Sequence, residues 1–179
     1  MPVFCPALIF AIAQFSSAVA ATPEGVPRAA GRVMPFTALP ETVGVSALIL
    51  PAPWAAVELS AGVGVAVGTR DEIVATAAFA TGPALLVAKA RTDPDSGRPR
   101  GVSATLSPTL GMRYREEAVV LWGTPHRDMD LLGRVSFDTW FWTRYGFAFD
   151  LMASVGAAGA IDRPHEVYPD LRRGLGLGW

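Results

Sequence analysis

The sequence predicts an all-β protein, folded as a closed up-and-down antiparallel β-barrel of eight strands. Three observations lead to this fold class. Apolar residues recur at every second position along much of the chain, which is the side-chain period of a strand. Gly and Pro number 18 and 15 among 179 residues, and both favour turns over long helices. Charged residues make up 17% of the chain, against about 25% in a typical soluble domain.

The alternation is clearest over residues 101–115, with the sequence GVSATLSPTLGMRYR. The even positions are apolar or aromatic, and the odd positions carry Gly, Ser, Thr or Arg. Pro108 lacks a backbone N–H and therefore predicts a bulge or a weak position in the hydrogen-bond ladder. The segment predicts a long strand with one apolar face and one polar face.

Eight segments carry this pattern or a weaker form of it: residues 55–68, 72–82, 83–91, 101–115, 117–123, 131–145, 147–157 and 171–179. Very short connections at 81–83, 115–116 and 144–146 alternate with longer polar segments at 92–100, 124–130 and 161–169, although the first connection, at 68–71, is also short and breaks this alternation. Short turns at one end and longer outer loops at the other are typical of a membrane β-barrel.

The polar face indicates which side of the wall faces inward. It is rich in Gly, Ser, Ala and Thr, whereas a water-facing surface normally carries about 25–35% charged residues. Small residues with a few paired charges suit the narrow interior of an eight-stranded barrel. We therefore predict a transmembrane barrel with a structural network of interior charges, namely Glu58, Arg113, Arg134, Asp138, Asp150 and Arg172.

Aromatic residues favour the same orientation. Five of them fall at the short-turn end of the predicted strands: Trp54, Tyr114, Tyr145, Phe147 and Trp179. Such a girdle is expected where a barrel crosses the membrane–water interface. Trp140 and Trp142 fall on the polar face, where they would obstruct an interior that eight strands already leave filled.

The first twenty residues have no charged side chain, and their apolar run is too short to cross a bilayer as a helix. They end in Ala18-Val19-Ala20, at the spacing a signal peptidase requires. Residues 1–20 are predicted to be a cleaved secretory signal, with a buried N-terminal segment as the alternative. Cys5 would leave with the signal, so the mature chain would have no disulfide.

Residues 21–53 are Pro-rich and mostly unpatterned. We predict that they form a periplasmic lead before a barrel at 54–179, although residues 43–50 could add a strand. In the last segment, Leu175, Leu177 and Trp179 would face outward, and the intervening glycines would lie inside against Gly62 and Gly64 of the first predicted strand.

Together these features resemble the small eight-stranded outer-membrane barrels of Gram-negative bacteria, the OmpA/OmpX type. The resemblance covers the signal segment, the strands over 55–179 and the apolar, aromatic ending of the chain. It implies an exported monomer that contacts outer-membrane lipid. It also implies that Leu175, Leu177 and Trp179 form the C-terminal signal read by the barrel-assembly machinery, although Phe is the commoner last residue.

The sequence predicts no cofactor, metal or catalytic residue. A net charge of −1 without a basic block argues against nucleic acid as a partner, and GVGVAVG opens no helix, as a dinucleotide fingerprint would. His126 and His165 lie near acidic residues in polar segments, without a recognised metal-ligand spacing. The predicted role is structural or surface-binding.

Two alternatives stay open. A secreted or periplasmic lipocalin-like barrel would turn its apolar face inward to bind an apolar ligand. A lipid A-modifying outer-membrane enzyme would need a nucleophile and a base within hydrogen-bond reach. For that chemistry Ser136 lies well down the strand from His126, and the chain has no His-x-Ser-Asn run.

Overall fold

The computed structural model describes residues 31–39, 43–52, 54–66, 72–119, 126–162 and 167–179. Their strands are β1 (Gly31–Leu39), β2 (Val43–Ala52), β3 (Ala55–Ala66), β4 (Glu72–Pro83), β5 (Leu85–Ala88), β6 (Arg91–Thr92), β7 (Pro99–Val119), β8 (His126–Trp142), β9 (Ala148–Ala160) and β10 (Val167–Gly178). No helix in these ranges is both long and apolar enough for a membrane span.

Eight of these strands close a barrel, in the order β1-β2-β3-β4-β7-β8-β9-β10, with β10 pairing back onto β1. All pairings are antiparallel. A path that starts at Gly101 and passes from each residue to its paired partner goes once around the barrel and returns to β7 at Gly111, ten residues further along the strand. This stagger tilts the strands by about 40° from the barrel axis. The predicted eight-stranded closed antiparallel barrel is confirmed.

The barrel uses two strands that the sequence pattern did not assign to it. β1 and β2 lie within residues 21–53, where a lead was expected, so the wall includes Gly31–Leu39 and Val43–Ala52. β1 lacks a visible alternation because both its faces are largely apolar. Met34 and Phe36 pack inside, while Val33 and Pro35 alternate with them. The extra strand considered at 43–50 is β2.

Two predicted strands do not exist as separate members of the wall. β7 runs unbroken from Pro99 to Val119, so residues 115–116 are no turn and the strand expected at 117–123 begins inside β7. Arg115 and Glu116 are both paired with β4 and β8. The strand expected at 83–91 is only the short β5, which continues the line of β4 along β7.

Pro108 lies opposite the break between β4 and β5. Pairing of β4 with β7 ends at Leu110, and pairing of β5 begins at Leu106. The missing N–H of Pro108 therefore coincides with a gap in the ladder, and on the other side Pro108 keeps regular register with Val135. The predicted weak ladder position is present, and the bulge is not.

The two ends of the barrel differ. The turn end carries the β2–β3 turn at Trp54, the β5–β6–β7 hairpin and the β8–β9 turn. Gly31 at the start of β1 and Trp179 just after β10 also lie at this end. The opposite end, called the loop end here, holds the meeting points of β7 with β8 and of β9 with β10. The segment 92–100, predicted among the outer loops, instead lies at the turn end, where Arg98 contacts Tyr145. The predicted signal at 1–20 lies outside the described residues.

Candidate functional site: the charged interior and the apolar outer face

The barrel is polar inside and apolar outside. Among the side chains that the structure describes, ten charged ones are buried: Arg32, Glu58, Arg113, Asp128, Asp130, Arg134, Asp138, Asp150, Asp170 and Arg172. Large hydrophobic side chains are meanwhile exposed along the strands β2, β3, β4, β7, β8, β9 and β10, among them Val45, Phe79, Leu110, Leu131, Leu151 and Leu175. A water-soluble protein buries its apolar side chains and rarely buries charge. The polarity of this barrel is the reverse.

An apolar layer closes the interior at the turn end. Trp140 and Trp142 point inward and stack, with their ring centroids 6.1 Å apart. Each indole N–H finds a hydroxyl on β7: Trp142 donates to Ser103 at 2.8 Å and Trp140 to Thr105 at 3.4 Å. The rings pack with buried aliphatic side chains from four other segments, namely Leu48, Leu50, Ala56, Ala84, Ala90 and Ala148.

A network of ion pairs fills the middle of the interior. Arg32 is shared by Asp138 and Asp150, at 2.6 and 3.0 Å from its Nε, and its Nη1 donates to Ser46 at 2.9 Å. Ser46 in turn donates to Glu58 at 3.0 Å. The network therefore crosses the barrel from β8 and β9 through β1 to β2 and β3.

A second arm of the network completes the crossing. Arg134 reaches Glu58 at 2.9 Å and Asp170 at 2.8 Å. Asp170 also pairs with Arg172 at 2.8 Å, and Arg172 donates to Ser60 at 2.9 Å. Each of these side chains is at most a few per cent exposed. Buried charges are tolerated when they are paired, and each charged group of this network has a group of opposite charge beside it.

A third layer lies at the loop end. Arg113 pairs with Asp130 at 3.0 Å, and Arg115 pairs with Asp128 at 2.9 Å and Glu117 at 3.0 Å. Both guanidinium groups lie against the ring of Tyr168, at 5.1 and 4.9 Å from its centroid. Exposure rises across this layer, because Arg113 is fully buried and the side chain of Glu117 is 25% exposed. The layer forms a polar mouth at the loop end.

The predicted interior residues are all buried, and they fall into two of these layers. Glu58, Arg134, Asp138, Asp150 and Arg172 belong to the central network, whereas Arg113 lies in the loop-end layer. The sequence missed Arg32 and Ser46, which lie in the segment assigned to the lead, and Asp170, which lies between the predicted loop at 161–169 and the predicted strand at 171–179. Strand parity would identify them once β1, β2 and the start of β10 are known. Arg144, which has the same parity as the interior residues, lies in a turn and is exposed.

The outer face carries an apolar belt, defined here as the outward side chains between Phe141 and Met129 on β8 and their neighbours on the other wall strands. Along β8 these are Thr139, Phe137, Val135, Gly133 and Leu131. The twelve residue steps from Phe141 to Met129 span about 30 Å along the axis, at about 3.4 Å per residue and a tilt of about 40°. That height is close to the hydrocarbon thickness of a bilayer, about 25–30 Å.

Exposed aromatic side chains border the belt at the turn end. Tyr145 and Phe147 stack at 6.3 Å, and Phe147 meets Phe149 edge-on at 5.9 Å. Trp54 is 72% exposed, and Trp179 and Phe141 are also on the surface. The prediction for Tyr114 was wrong. It pairs with Met129 and Ala77 in the loop-end half of the wall, because β7 continues past it, and its hydroxyl donates to Glu116 at 3.0 Å.

One charge faces outward within the belt. Among the described wall residues, Arg173 is the charged side chain exposed there, and its Nε donates to Thr37 of β1 at 3.3 Å. Its neighbour Arg172 is buried in the central network. The two arginines thus mark the two faces of β10.

The glycine-rich end of the closing strand, from Gly174 to Gly178, leaves no room for side chains inside. A Cβ on Gly176 would lie 2.3 Å from the Cβ of Met34, and one on Gly178 would lie 2.2 Å from the ring of Trp140. The glycines therefore pack against Met34 and Trp140, and the prediction that they face Gly62 and Gly64 was wrong because β10 pairs with β1. Leu175, Leu177 and Trp179, the predicted assembly signal, point outward and are exposed.

The lipid A-modifying alternative would need His126 and Ser136 within hydrogen-bond reach, and the structure places them far apart. His126 and Ser136 are ten residues apart on β8, which separates them by about 33 Å. His126 lies at the mouth, 3.2 Å from Asp128. In the described residues, no three His, Cys, Asp or Glu side chains are grouped as metal ligands would be. His165 lies outside the described residues.

Comparisons with family models, curated proteins and solved structures give no match to this chain.

Proposed function

We propose that this chain is an integral outer-membrane barrel with a structural or surface-binding role and no catalysis. One observation carries the proposal, namely the reversed polarity of the wall. Lipid is the solvent in which exposed leucine, valine and phenylalanine side chains are favourable, and the paired interior charges are then shielded from it. The height of the belt and the aromatic border at the turn end support the same conclusion.

The proposal includes export through a cleaved signal, insertion by the barrel-assembly machinery of a Gram-negative bacterium, and a monomeric state. Closure supports the monomer, because β1 and β10 pair with each other and leave no wall edge open among the described strands. The interior argues against the lipocalin-like alternative. An apolar ligand would meet the Arg32 and Arg134 ion pairs instead of an apolar lining.

A pair of arginine substitutions on the outer face tests membrane insertion. Val135→Arg places a charge near the middle of the belt, and Met129→Arg places one near its loop-end margin. In lipid, the first should lower the unfolding free energy by about 2–4 kcal/mol and the second by about 0–1 kcal/mol, measured by denaturant unfolding in vesicles. In a water-soluble barrel both sites would tolerate arginine alike.

Cell fractionation provides the direct test. The folded chain should co-sediment with outer-membrane markers, require detergent for extraction and migrate differently on a gel before and after boiling. Recovery of a folded monomer from the aqueous periplasmic fraction would overturn the proposal. A change in lipid A acylation on His126→Ala would contradict the absence of catalysis.

A further inference from the structure

The turn end carries an exposed basic rim, formed by Lys89, Arg91, Arg98, Arg100 and Arg144. The five residues lie on two adjacent segments, the β5–β6–β7 hairpin and the β8–β9 turn. Arg98 joins the segments by donating to the Tyr145 carbonyl at 3.2 Å, and the guanidinium of Arg144 lies 4.7 Å from the centre of the Tyr145 ring. The rim is therefore one continuous surface.

The positive charge of this rim is not neutralised by its neighbours. Within the described ranges, none of the five cations forms an ion pair. The acidic residues of the hairpin are Asp93 and Asp95, and the Oδ1 of Asp93 accepts the backbone N–H groups of Asp95 and Ser96 to hold the turn. Five cations thus face two acidic residues at this end.

Two of the arginines are direct cross-strand neighbours. Arg91 of β6 pairs in register with Arg100 of β7, and both side chains are exposed. Like charges in opposite positions on a strand pair destabilise each other. An anion that binds both guanidinium groups would remove that repulsion, so this pair points to an anionic ligand.

Apolar side chains adjoin the rim. Leu85, Leu86 and Val87 of β5 are each more than half exposed, and Tyr145 and Phe147 belong to the aromatic border of the belt. Basic residues beside exposed apolar and aromatic groups are typical of a surface at the headgroup level of a membrane. A free inorganic anion would have no apolar part to contact these neighbouring apolar groups.

We infer that the basic rim binds the phosphates of anionic phospholipids in the leaflet at the turn end. This inference rests on the proposed membrane insertion and adds a lipid preference to it. Arginine suits the ligand because its planar guanidinium group binds phosphate oxygens in a bidentate manner. The Arg91–Arg100 pair would form the centre of the contact, with Arg98 and Arg144 on its flank.

Competition between two lipids tests the inference on the full chain. The protein is reconstituted in equimolar phosphatidylglycerol and phosphatidylcholine, and the ratio of the two lipids bound to it is measured by native mass spectrometry. We expect a clear excess of phosphatidylglycerol, and at least about a fivefold fall in that excess for Arg91→Gln/Arg100→Gln, since each basic side chain near an anionic surface counts for about fivefold.

Arg127→Gln is the matched control, because Arg127 is an exposed arginine at the loop end. It should leave the ratio unchanged. Altered mobility on heating verifies that each variant is folded. As a second measurement on the wild type, raising salt to about 1 M should remove most of the preference, because the Debye length falls to about 3 Å.

The outcomes separate the two proposals. A chain that enters neither lipid overturns the proposed function. A chain that inserts but binds both lipids equally, or a double variant that keeps the wild-type ratio, overturns the lipid preference alone. Displacement of the bound phosphatidylglycerol by inorganic phosphate would also overturn it, because the rim would then be a free-anion site.

Discussion

At the scale of single residues, Arg172 and Arg173 distinguish the two faces of β10, because Arg172 is buried inside and Arg173 is exposed outside. Arg172→Leu removes a guanidinium group paired with Asp170 and Ser60, and breaking such a buried network costs about 3–5 kcal/mol. Arg173→Leu removes an outward charge from the belt and should raise the unfolding free energy in lipid by about 1–3 kcal/mol. Denaturant unfolding in vesicles measures both values. Effects of the same sign would contradict the assignment of the two faces.

A pair of glycines tests the packing of the interior. A Cβ on Gly176 would meet the main chain of Val33 and Met34 at 2.5 and 2.9 Å, so Gly176→Ala requires the strands to move and should cost about 1–3 kcal/mol. A Cβ on Gly133 would meet only a leucine methyl group at 3.4 Å, so Gly133→Ala should stay within about 0.5 kcal/mol. Unfolding midpoints in detergent measure both effects. Equal losses of stability in the two variants would contradict the tight packing around Gly176.

The sequence predicts the face of a residue more reliably than it predicts where a strand begins. The dyad pattern directs Asp138 and Arg134 inward because small and apolar residues alternate around them. It cannot do so for Arg32, since Met34 and Phe36 make the inner face of β1 as apolar as its outer face. Arg144 has interior parity, yet the chain leaves the sheet at Thr143, where a turn is closed by bonds to Phe147.

At the scale of elements, the same limit explains the misplaced strands. β1 and β2 become strands because β10 and β3 offer them partners, and sequence separation hides those partners. β7 looked like two strands because a charged pair, Arg115 and Glu116, resembles a turn. The count of eight was nevertheless right, since two missed strands replaced two that do not exist separately.

The pairing of β10 with β1, which closes the barrel, leads to a prediction about Trp179. Trp179 and Gly31 exchange two backbone hydrogen bonds, at 3.1 and 3.2 Å, where β10 meets β1. Deleting Trp179 removes this pair together with an aromatic side chain of the turn-end border. We expect a large fall in the folded barrel recovered from outer membranes, measured as the heat-modifiable band, whereas Trp179→Phe should retain it. Normal levels of the truncated chain would contradict an assembly role for this residue.

At the scale of the whole molecule, three layers of side chains occupy the interior of the barrel. The tryptophan stack lies at the turn end, the Arg32–Arg134 network lies in the middle, and the Arg113–Arg115 pairs lie at the loop end. An open pore would require the tryptophan stack and the central network to move, and the central network is held by buried charge pairs. The filled interior therefore favours a barrel without an open pore.

This arrangement predicts the absence of steady conductance in planar bilayers. Wild-type protein should show none, and Trp142→Ala should show none either. That substitution removes one ring of the turn-end stack, while the bonds of Arg32 to Asp138 and of Arg134 to Glu58 stay in place. Stable conductance steps from the wild type would contradict a filled interior. Conductance steps that appear only with Trp142→Ala would show that the tryptophan stack alone blocks the passage of ions. The central network of ion pairs would then have to contain enough water for ions to pass.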